Sequence, residues 1–147
     1  MSHVQAYYHI VINTKERRRV IPAEHKRELY AYIYGILKNK CCKVLRINGT
    51  ENHVHLLIEL NPTLSLSFVV GLLKQSSSLW MHAQPNFSRF EFWGKEYYAA
   101  SVSRSDVAAV KDYIIGQEVH HTKVSFEDEF RQMIGESGMD WNDKMLT

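Results

Sequence analysis

The feature that most constrains the fold is a pair of strand-like segments separated by a short turn near the middle of the chain. Residues 43–47 and 53–60 are rich in aliphatic side chains, and the turn between them contains Asn48-Gly49-Thr50. Asn-Gly is the strongest short-range signal for a β-hairpin, because both residues adopt positive φ at little cost. The sequence therefore predicts an antiparallel hairpin at this point.

The other segments alternate between strand and helix patterns, judged from apolar residues that recur every second or every third and fourth position. In chain order they are a strand over 4–13, a helix over 24–38, a helix capped by Thr63 or Ser65 that ends before Pro85, a strand over 97–103 and a helix opened by Ser105 and Asp106. The order β-α-β-β-α-β-α, with a polar C-terminal tail over roughly 126–147, predicts a single α+β domain. We expect an antiparallel sheet with the helices packed on one face.

The composition is that of an ordinary globular domain. The 147 residues suffice for one hydrophobic core, and 45% of them are apolar while 23% are charged. The apolar runs are far shorter than the roughly 20 residues that span a bilayer. The two cysteines, Cys41 and Cys42, are adjacent, so a disulfide between them would be strained. We therefore expect a cytoplasmic protein with no membrane segment.

Basic residues are clustered although the formal net charge is only +2. Lys15, Arg17, Arg18 and Arg19 form one group that follows the first predicted strand. Such a group supplies the non-specific attraction to phosphates that nucleic-acid-binding proteins use. A solvated charged loop explains it equally well, so charge alone identifies no partner.

Two histidines stand at alternate positions where the second hairpin strand begins. Alternate side chains of a strand point to the same face about 7 Å apart, so His53 and His55 can approach one ion. Leu57 continues their face, while Val54, Leu56 and Ile58 fall on the other face and are candidates for the core. The pair predicts a metal or phosphate site on an open face, with surface histidines of no function as the alternative.

A tyrosine in the last predicted helix is the second candidate. Tyr113 flanks the apolar stripe of that helix, and Gln117 lies one turn further on the same side. The alternative is an aromatic residue at the border of the core with its hydroxyl in water. His120 and His121 follow and are open to three interpretations: further ligands, DNA contacts or a polar helix end.

These residues together resemble the single-tyrosine HUH transposases of the insertion sequence 200/605-like family, which is related to the REP-associated tyrosine transposases. The resemblance covers roughly residues 4–130 and depends on four motifs in order. They are Tyr8-His9-Ile10-Val11, the run from Asn48 to Ile58 that contains His53-Val54-His55, Lys74-Gln75-Ser76-Ser77-Ser78, and Tyr113-Ile114 followed by Gln117-Glu118 and His120-His121. Two departures are Asn52, where many relatives have Asp, and the segment 93–103, which lacks the glycines and the phenylalanine of the family pattern.

The resemblance implies a ferredoxin-like α+β fold and a transposase that cleaves and rejoins single-stranded DNA. His53, His55 and Gln117 would bind Mg²⁺ or Mn²⁺, and Tyr113 would be the nucleophile that forms a 5′-phosphotyrosine. The implied substrate is single-stranded DNA with hairpin ends. The implied assembly is a homodimer in which Tyr113 of one subunit works beside the histidines of the other. No nucleotide cofactor is implied, and the enzyme would act in the cytoplasm at the nucleoid.

Two other functions share parts of this pattern. A nucleotide hydrolase of the histidine-triad kind needs a third alternate histidine, and this chain has Leu57 there. A non-catalytic, domesticated protein that binds DNA hairpins would need the fold but neither Tyr113 nor the cation. Candidate DNA contacts are Lys15, Arg17, Arg18, Lys74, Ser76 and Ser77, although the last three also fit a polar outer helix face. Tyr7, Trp93 or Tyr97 would suit base stacking.

Overall fold

The computed structural model describes residues 2–120 and 124–139. The strands are β1 (Tyr7–Asn13), β2 (Lys43–Gly49), β3 (His53–Glu59) and β4 (Tyr98–Val102). The helices are α1 (Lys26–Asn39), α2 (Leu66–His82), α3 (Val107–Ile115), α4 (Gln117–His120) and α5 (Phe126–Glu136). Within these described residues, no helix is long and apolar enough to cross a membrane.

The four strands form one sheet in the order β2-β3-β1-β4, and every neighbouring pair is antiparallel. β2 and β3 are the predicted hairpin, and β3 and β1 are the central strands. The predicted α+β class is confirmed. Since β1 and β3 are flanked by strands on both sides, a side chain on them is held by a rigid platform.

One face of the sheet is covered by α1 and α2, as the sequence predicted. Val54, Leu56 and Ile58 of β3 are fully buried on this face, which confirms them as core residues. The helices contribute apolar side chains at the predicted spacings, namely Leu29, Ile33 and Leu37 from α1 and Val69, Val70 and Leu73 from α2. Ser65 caps α2, because its side chain accepts a hydrogen bond of 3.1 Å from the Phe68 amide.

The opposite face is covered as well, which differs from the expectation that all helices pack on one face. Leu57 packs with Val107 and Ile114 of α3. Val11 of β1 packs with Phe126 and Phe130 of α5. The physical reason is that Leu57 and Val11 share this face with the histidines and would otherwise be exposed to water.

Residues 126–136 form helix α5, although their sequence pattern predicted part of a polar tail. Ser125 caps the helix by accepting a hydrogen bond of 3.2 Å from the Asp128 amide. The helix buries one side through Phe126, Phe130, Met133 and Ile134. Its acidic residues lie mostly on the other side of the helix. Because they are numerous, the helical spacing of the four apolar residues is hard to recognise in the sequence. The rest of the tail, 140–147, lies outside the described residues.

β2 extends two residues further than predicted, so that residues 50–52 form the hairpin turn. Gly49 is still in β2, opposite Val54, and the turn is closed by a hydrogen bond of 3.0 Å from the Thr50 amide to the His53 carbonyl. A Cβ at Gly49 would lie 2.1 Å from the His53 carbonyl oxygen. Glycine is needed here for the close approach of two strands, whereas the sequence pattern had predicted a turn glycine.

Candidate active site

His53 and His55 point from β3 into the space between the sheet, α3 and α5. Both side chains are completely buried, so the expectation of an open face is wrong. Phe126 of α5 covers His53, with the two rings stacked at 3.9 Å between centroids and 8° between planes. The reason is again the cover of this face by helices, one of which was not expected from the sequence.

The Nδ1 atoms of both imidazoles are engaged by polar neighbours. His53 Nδ1 lies 2.7 Å from Asn52 Oδ1 and 3.0 Å from Thr50 Oγ1. His55 Nδ1 lies 2.8 Å from His9 Nε2. Partners of this kind fix the ring orientation of metal-binding histidines and leave Nε2 as the ligand atom. Asn52 supplies an oxygen acceptor at the position where many relatives have Asp.

His9 belongs to one of the four motifs, but no role was predicted for it. It lies on β1, buried on the face of the histidine pair, and its ring stacks on that of His55 at 5.0 Å. Burial lowers the pKa of His9 to about 3, helped by the neighbouring His55 and opposed by Glu129. His9 is therefore neutral near pH 7, and its Nε2 can accept the proton of His55 Nδ1. The signal that could have revealed it is its place on β1, two residues before Val11 and hence on the same strand face.

Gln117 contacts the histidine pair, although it lies in α4 and not, as its spacing predicted, in the same helix as Tyr113. It is the first residue of α4, is fully buried, and its Oε1 lies 2.9 Å from His53 Nε2. Asn48 of β2 holds the end of the preceding helix, because its Nδ2 donates to the carbonyls of Ile114 and Ile115 at 3.0 and 3.1 Å. The end of α3, two residues before Gln117, is thus tied to the sheet.

Tyr113 lies beside the histidines of its own chain. Its ring is 5.7 Å from that of His55 at an angle of 79°, and its hydroxyl donates a hydrogen bond to the Glu129 carboxylate. Burial raises the pKa of the phenol, and the hydrogen bond to Glu129 and the charge of that carboxylate raise it further. A cavity of about 490 Å³ is lined by Tyr113 together with His9, Glu129 and Met133.

Glu129 is the site residue that sequence reasoning missed. It is 2% exposed, and its Oε1 lies 3.3 Å from His55 Nε2 and 3.7 Å from His53 Nε2. Its Oε2 accepts hydrogen bonds from Tyr113 and, at 3.0 Å, from Gln117 Nε2. The spacing of α5 could have revealed it, because Glu129 falls between Phe126 and Phe130 on the buried side.

This donor set suits a divalent cation. The ligand atoms of His53, His55 and Glu129 all lie within 4.8 Å of one another. Imidazole nitrogen and carboxylate or amide oxygen together suit Mn²⁺ well, and they also accept Mg²⁺ or Zn²⁺. The residues thus form a possible metal site, and the ligand types alone do not select the ion.

The three basic candidates for DNA contact that follow β1 are engaged with other side chains. Arg17 forms an ion pair of 2.7 Å with Glu127, which ties the residues after β1 to the start of α5. Arg18 pairs with Glu91 at 2.6 Å and Glu16 at 2.8 Å. Lys15 Nζ lies 5.8 Å from the centre of the Phe92 ring. Of these, the structure brings Arg17 next to the helix that covers the histidines.

The candidates on α2 do not meet the histidine site. Lys74 is half-buried and donates to the Gly94 carbonyl at 2.6 Å, and burial lowers its pKa. Ser77 is fully buried and accepts a hydrogen bond of 2.9 Å from Trp93 Nε1, so its hydroxyl does not reach the surface that DNA would touch. Ser76 stays partly exposed.

Among the aromatic candidates, Tyr7 and Trp93 are buried and only Tyr97 is exposed. The side chain of His120 and the whole of His121 lie outside the described residues, so the predictions for them stay open.

Comparison with known proteins names the family of this antiparallel sheet with its buried His-x-His pair and neighbouring helical tyrosine. The family described as "Transposase IS200 like" matches residues 2–117, and the chain belongs to it. It is therefore a DNA transposase, an enzyme of DNA recombination. The transposases for insertion sequence element IS200 of Salmonella typhimurium and Salmonella typhi are 32% identical to it over 112 residues, which is 73% of this chain and 73% of each relative.

Two solved structures share the fold. A putative transposase from Deinococcus radiodurans matches with a TM-score of 0.62 and 24% identity, over 79% of this chain and 93% of that one. A REP-associated tyrosine transposase bound to a REP hairpin matches with a TM-score of 0.64 and 15% identity, over 99% of this chain and 90% of that one.

Proposed function

We propose that this transposase cleaves and rejoins single-stranded DNA with Tyr113 as the nucleophile and with a divalent cation, Mg²⁺ or Mn²⁺, held by His53, His55 and Gln117. The observation that supports it most is the meeting of Tyr113 with the histidine pair and Gln117 in one buried cluster, although these residues come from three different elements. Three groups with distinct chemistry, predicted from two separate motifs, thus lie together.

A phenol suits a reaction that must run in both directions. Its unperturbed pKa near 10 is well below that of a sugar hydroxyl, so Tyr113 is both a nucleophile and a good leaving group. Attack on the scissile phosphate forms a 5′-phosphotyrosine and releases a 3′ hydroxyl. Attack by a second 3′ hydroxyl then releases Tyr113 and joins the strands without ATP. When bound, the cation polarises the phosphate and offsets the negative charge that develops on it.

The substrate we propose is single-stranded DNA with hairpin ends. The REP-associated relative is bound to a hairpin, and the 490 Å³ cavity beside Tyr113 is bordered by helices on one side of a rigid sheet. A stiff duplex would have to bend its backbone sharply to place one phosphate there, whereas a single strand bends freely. The enzyme would act in the cytoplasm, at the nucleoid when bound to DNA.

We also propose that two copies form a homodimer. β2 and β4 are the two edge strands of the sheet, and edge strands present backbone groups that a second copy can extend. Light scattering of the purified protein measures this assembly directly, and a monomer at all accessible concentrations would contradict it.

The nucleophile is tested with Tyr113→Phe, which removes only the hydroxyl. We expect the variant to bind a labelled hairpin with an unchanged Kd but to form no covalent protein–DNA adduct and no nick. Tyr97→Phe is the matched control, because Tyr97 is exposed and lies outside the cluster, and it should form the adduct as the wild type does. EDTA should abolish cleavage by both active proteins.

Adduct formation by Tyr113→Phe would refute the assignment of the nucleophile. Hairpin binding by the wild type without any adduct, in Mg²⁺ and in Mn²⁺, would instead support the non-catalytic DNA-binding protein.

A further inference from the structure

Helix α5 places a buried carboxylate in the cluster, and this helix lies beyond the residues 2–117 that match the family. A carboxylate that is 2% exposed is costly unless positive or donor groups compensate it. The two oxygens of Glu129 have different surroundings. Oε2 accepts from Tyr113 and Gln117, whereas Oε1 faces the Nε2 atoms of the two histidines. A cation would therefore bind on the Oε1 side, between Glu129 and the two histidines.

The spacing of the facing atoms fits one ion. Bonds of about 2.1 Å place neighbouring ligand atoms about 3.0 Å apart at right angles and about 3.4 Å apart in a tetrahedron. The distance from His53 Nε2 to Gln117 Oε1 is 2.9 Å, and Glu129 Oε1 lies 3.3 and 3.7 Å from the Nε2 atoms of His55 and His53. These values bracket the expected separations.

The hydrogen-bonding pattern makes a cation favourable at this point. Asn52 Oδ1 can only accept, so the proton of a neutral His53 ring lies on Nδ1 and a lone pair lies on Nε2. That lone pair faces Gln117 Oε1, which is also electron-rich because the amide donates through its Nε2 to Glu129. A positive ion between these atoms and the carboxylate offsets their mutual repulsion.

We propose that Glu129 is a fourth protein ligand of the cation and that its second oxygen positions the Tyr113 hydroxyl beside that ion. The proposal deepens the metal-supported function proposed above and depends on it. It follows that docking of α5 and metal binding stabilise each other, because Phe126 and Phe130 hold the helix that carries Glu129.

Titration of the metal-free protein with Mn²⁺ alone, by calorimetry and by the electron paramagnetic resonance of free Mn²⁺, tests the proposal without DNA or turnover. We expect Glu129→Gln to weaken Mn²⁺ binding by at least about tenfold. The matched control is Asp128→Asn, which makes the same charge change at the neighbouring position of α5, outside the cluster, and should bind Mn²⁺ as the wild type does. Tyr113→Phe should also bind normally, since its hydroxyl bonds to Glu129 Oε2 and the cation would lie on the Oε1 side.

Thermal unfolding supplies a second readout that does not need a quantified affinity. Mn²⁺ should raise the Tm of the wild type and of Asp128→Asn, and should raise that of Glu129→Gln much less at the same concentration. If the Gln variant folds poorly, Glu129→Asp keeps the charge on a shorter side chain. Its Tm should then respond to Mn²⁺ more than that of Glu129→Gln and less than that of the wild type.

Equal Mn²⁺ affinity in Glu129→Gln and the wild type would overturn the proposal. Faster nicking by Glu129→Gln at unchanged Mn²⁺ affinity would also overturn it and would make Glu129 a group that shields the site from DNA. His53→Ala/His55→Ala separates this proposal from the function on which it depends. If the wild type binds neither Mn²⁺ nor Mg²⁺, the proposed metal-dependent function itself is contradicted. If the histidine variant loses Mn²⁺ binding and Glu129→Gln keeps it, only the role of Glu129 is contradicted.

Discussion

At the scale of single residues, the partners of the Nδ1 atoms of His53 and His55 decide how the two imidazole rings are oriented. Asn52 stands where many relatives have Asp, yet its Oδ1 still lies 2.7 Å from His53 Nδ1. Compared with an Asp carboxylate, the Asn52 amide has an oxygen acceptor at the same place but carries no negative charge. A carboxylate at this point would raise the basicity of the imidazole, because it stabilises the proton on Nδ1.

Substitution of Asn52 should therefore change metal affinity in two directions. Asn52→Ala removes the acceptor and should weaken Mn²⁺ binding roughly 10–100-fold, whereas Asn52→Asp should bind at least as tightly as the wild type. Calorimetric titration with Mn²⁺ measures both. If the two variants bind alike, the contact of Asn52 with His53 has no influence on the site.

The residues of the site differ in how far sequence reasoning could reach them. Tyr113 and Gln117 are four residues apart in sequence, and His53 and His55 share one strand face, so local spacing is enough to pair them. His9 and Glu129 contact His55 across separations of 46 and 74 residues. No local pattern encodes such a contact, because it depends on which strands are neighbours and on where α5 docks.

At the scale of elements, apolar periodicity located the strands and α1 to α3 but not α5. The stripe Phe126, Phe130, Met133 and Ile134 has helical spacing, yet acidic residues intervene and the segment resembles a solvated tail. Turn chemistry was also ambiguous. Asn48-Gly49 suits a hairpin turn, but Asn48 is used to hold the end of α3 and Gly49 to admit the neighbouring strand.

This difference between a turn glycine and a close-approach glycine predicts opposite effects of two substitutions. Gly49→Ala places a methyl group 2.1 Å from the His53 carbonyl oxygen, within β2 and β3, and should lower the free energy of unfolding by about 1–3 kcal/mol or more. Gly35→Ala is the control, since Gly35 lies inside α1 with nothing within 4 Å of the added carbon. It should stabilise the protein by roughly 0.5–1 kcal/mol.

Chemical denaturation measures both variants. In Gly49→Ala the added methyl group should displace the backbone at His53. The affinity of this variant for Mn²⁺ should therefore fall, while the affinity of Gly35→Ala stays at the wild-type value. Equal stability of the two variants would mean that the strands separate easily at this point.

At the scale of the whole molecule, one chain supplies every described part of the site. β1 gives His9, β3 gives the histidine pair, α3 gives Tyr113, α4 gives Gln117 and α5 gives Glu129. The resemblance to HUH transposases implied a different assembly, in which Tyr113 of one subunit works beside the histidines of its partner. Both assemblies are compatible with a homodimer.

Subunit mixing distinguishes the two assemblies. His53→Ala/His55→Ala lacks the metal ligands and Tyr113→Phe lacks the nucleophile, so each protein alone should be inactive. The single-chain geometry predicts that a mixture stays inactive, because no chain in a heterodimer carries both halves of a site. A composite assembly would restore one site per heterodimer and place the covalent adduct on the subunit without histidines. Subunit exchange must first be verified with labelled wild-type protein, and adduct recovered on the histidine-deficient subunit would show that α3 reaches the partner during the reaction.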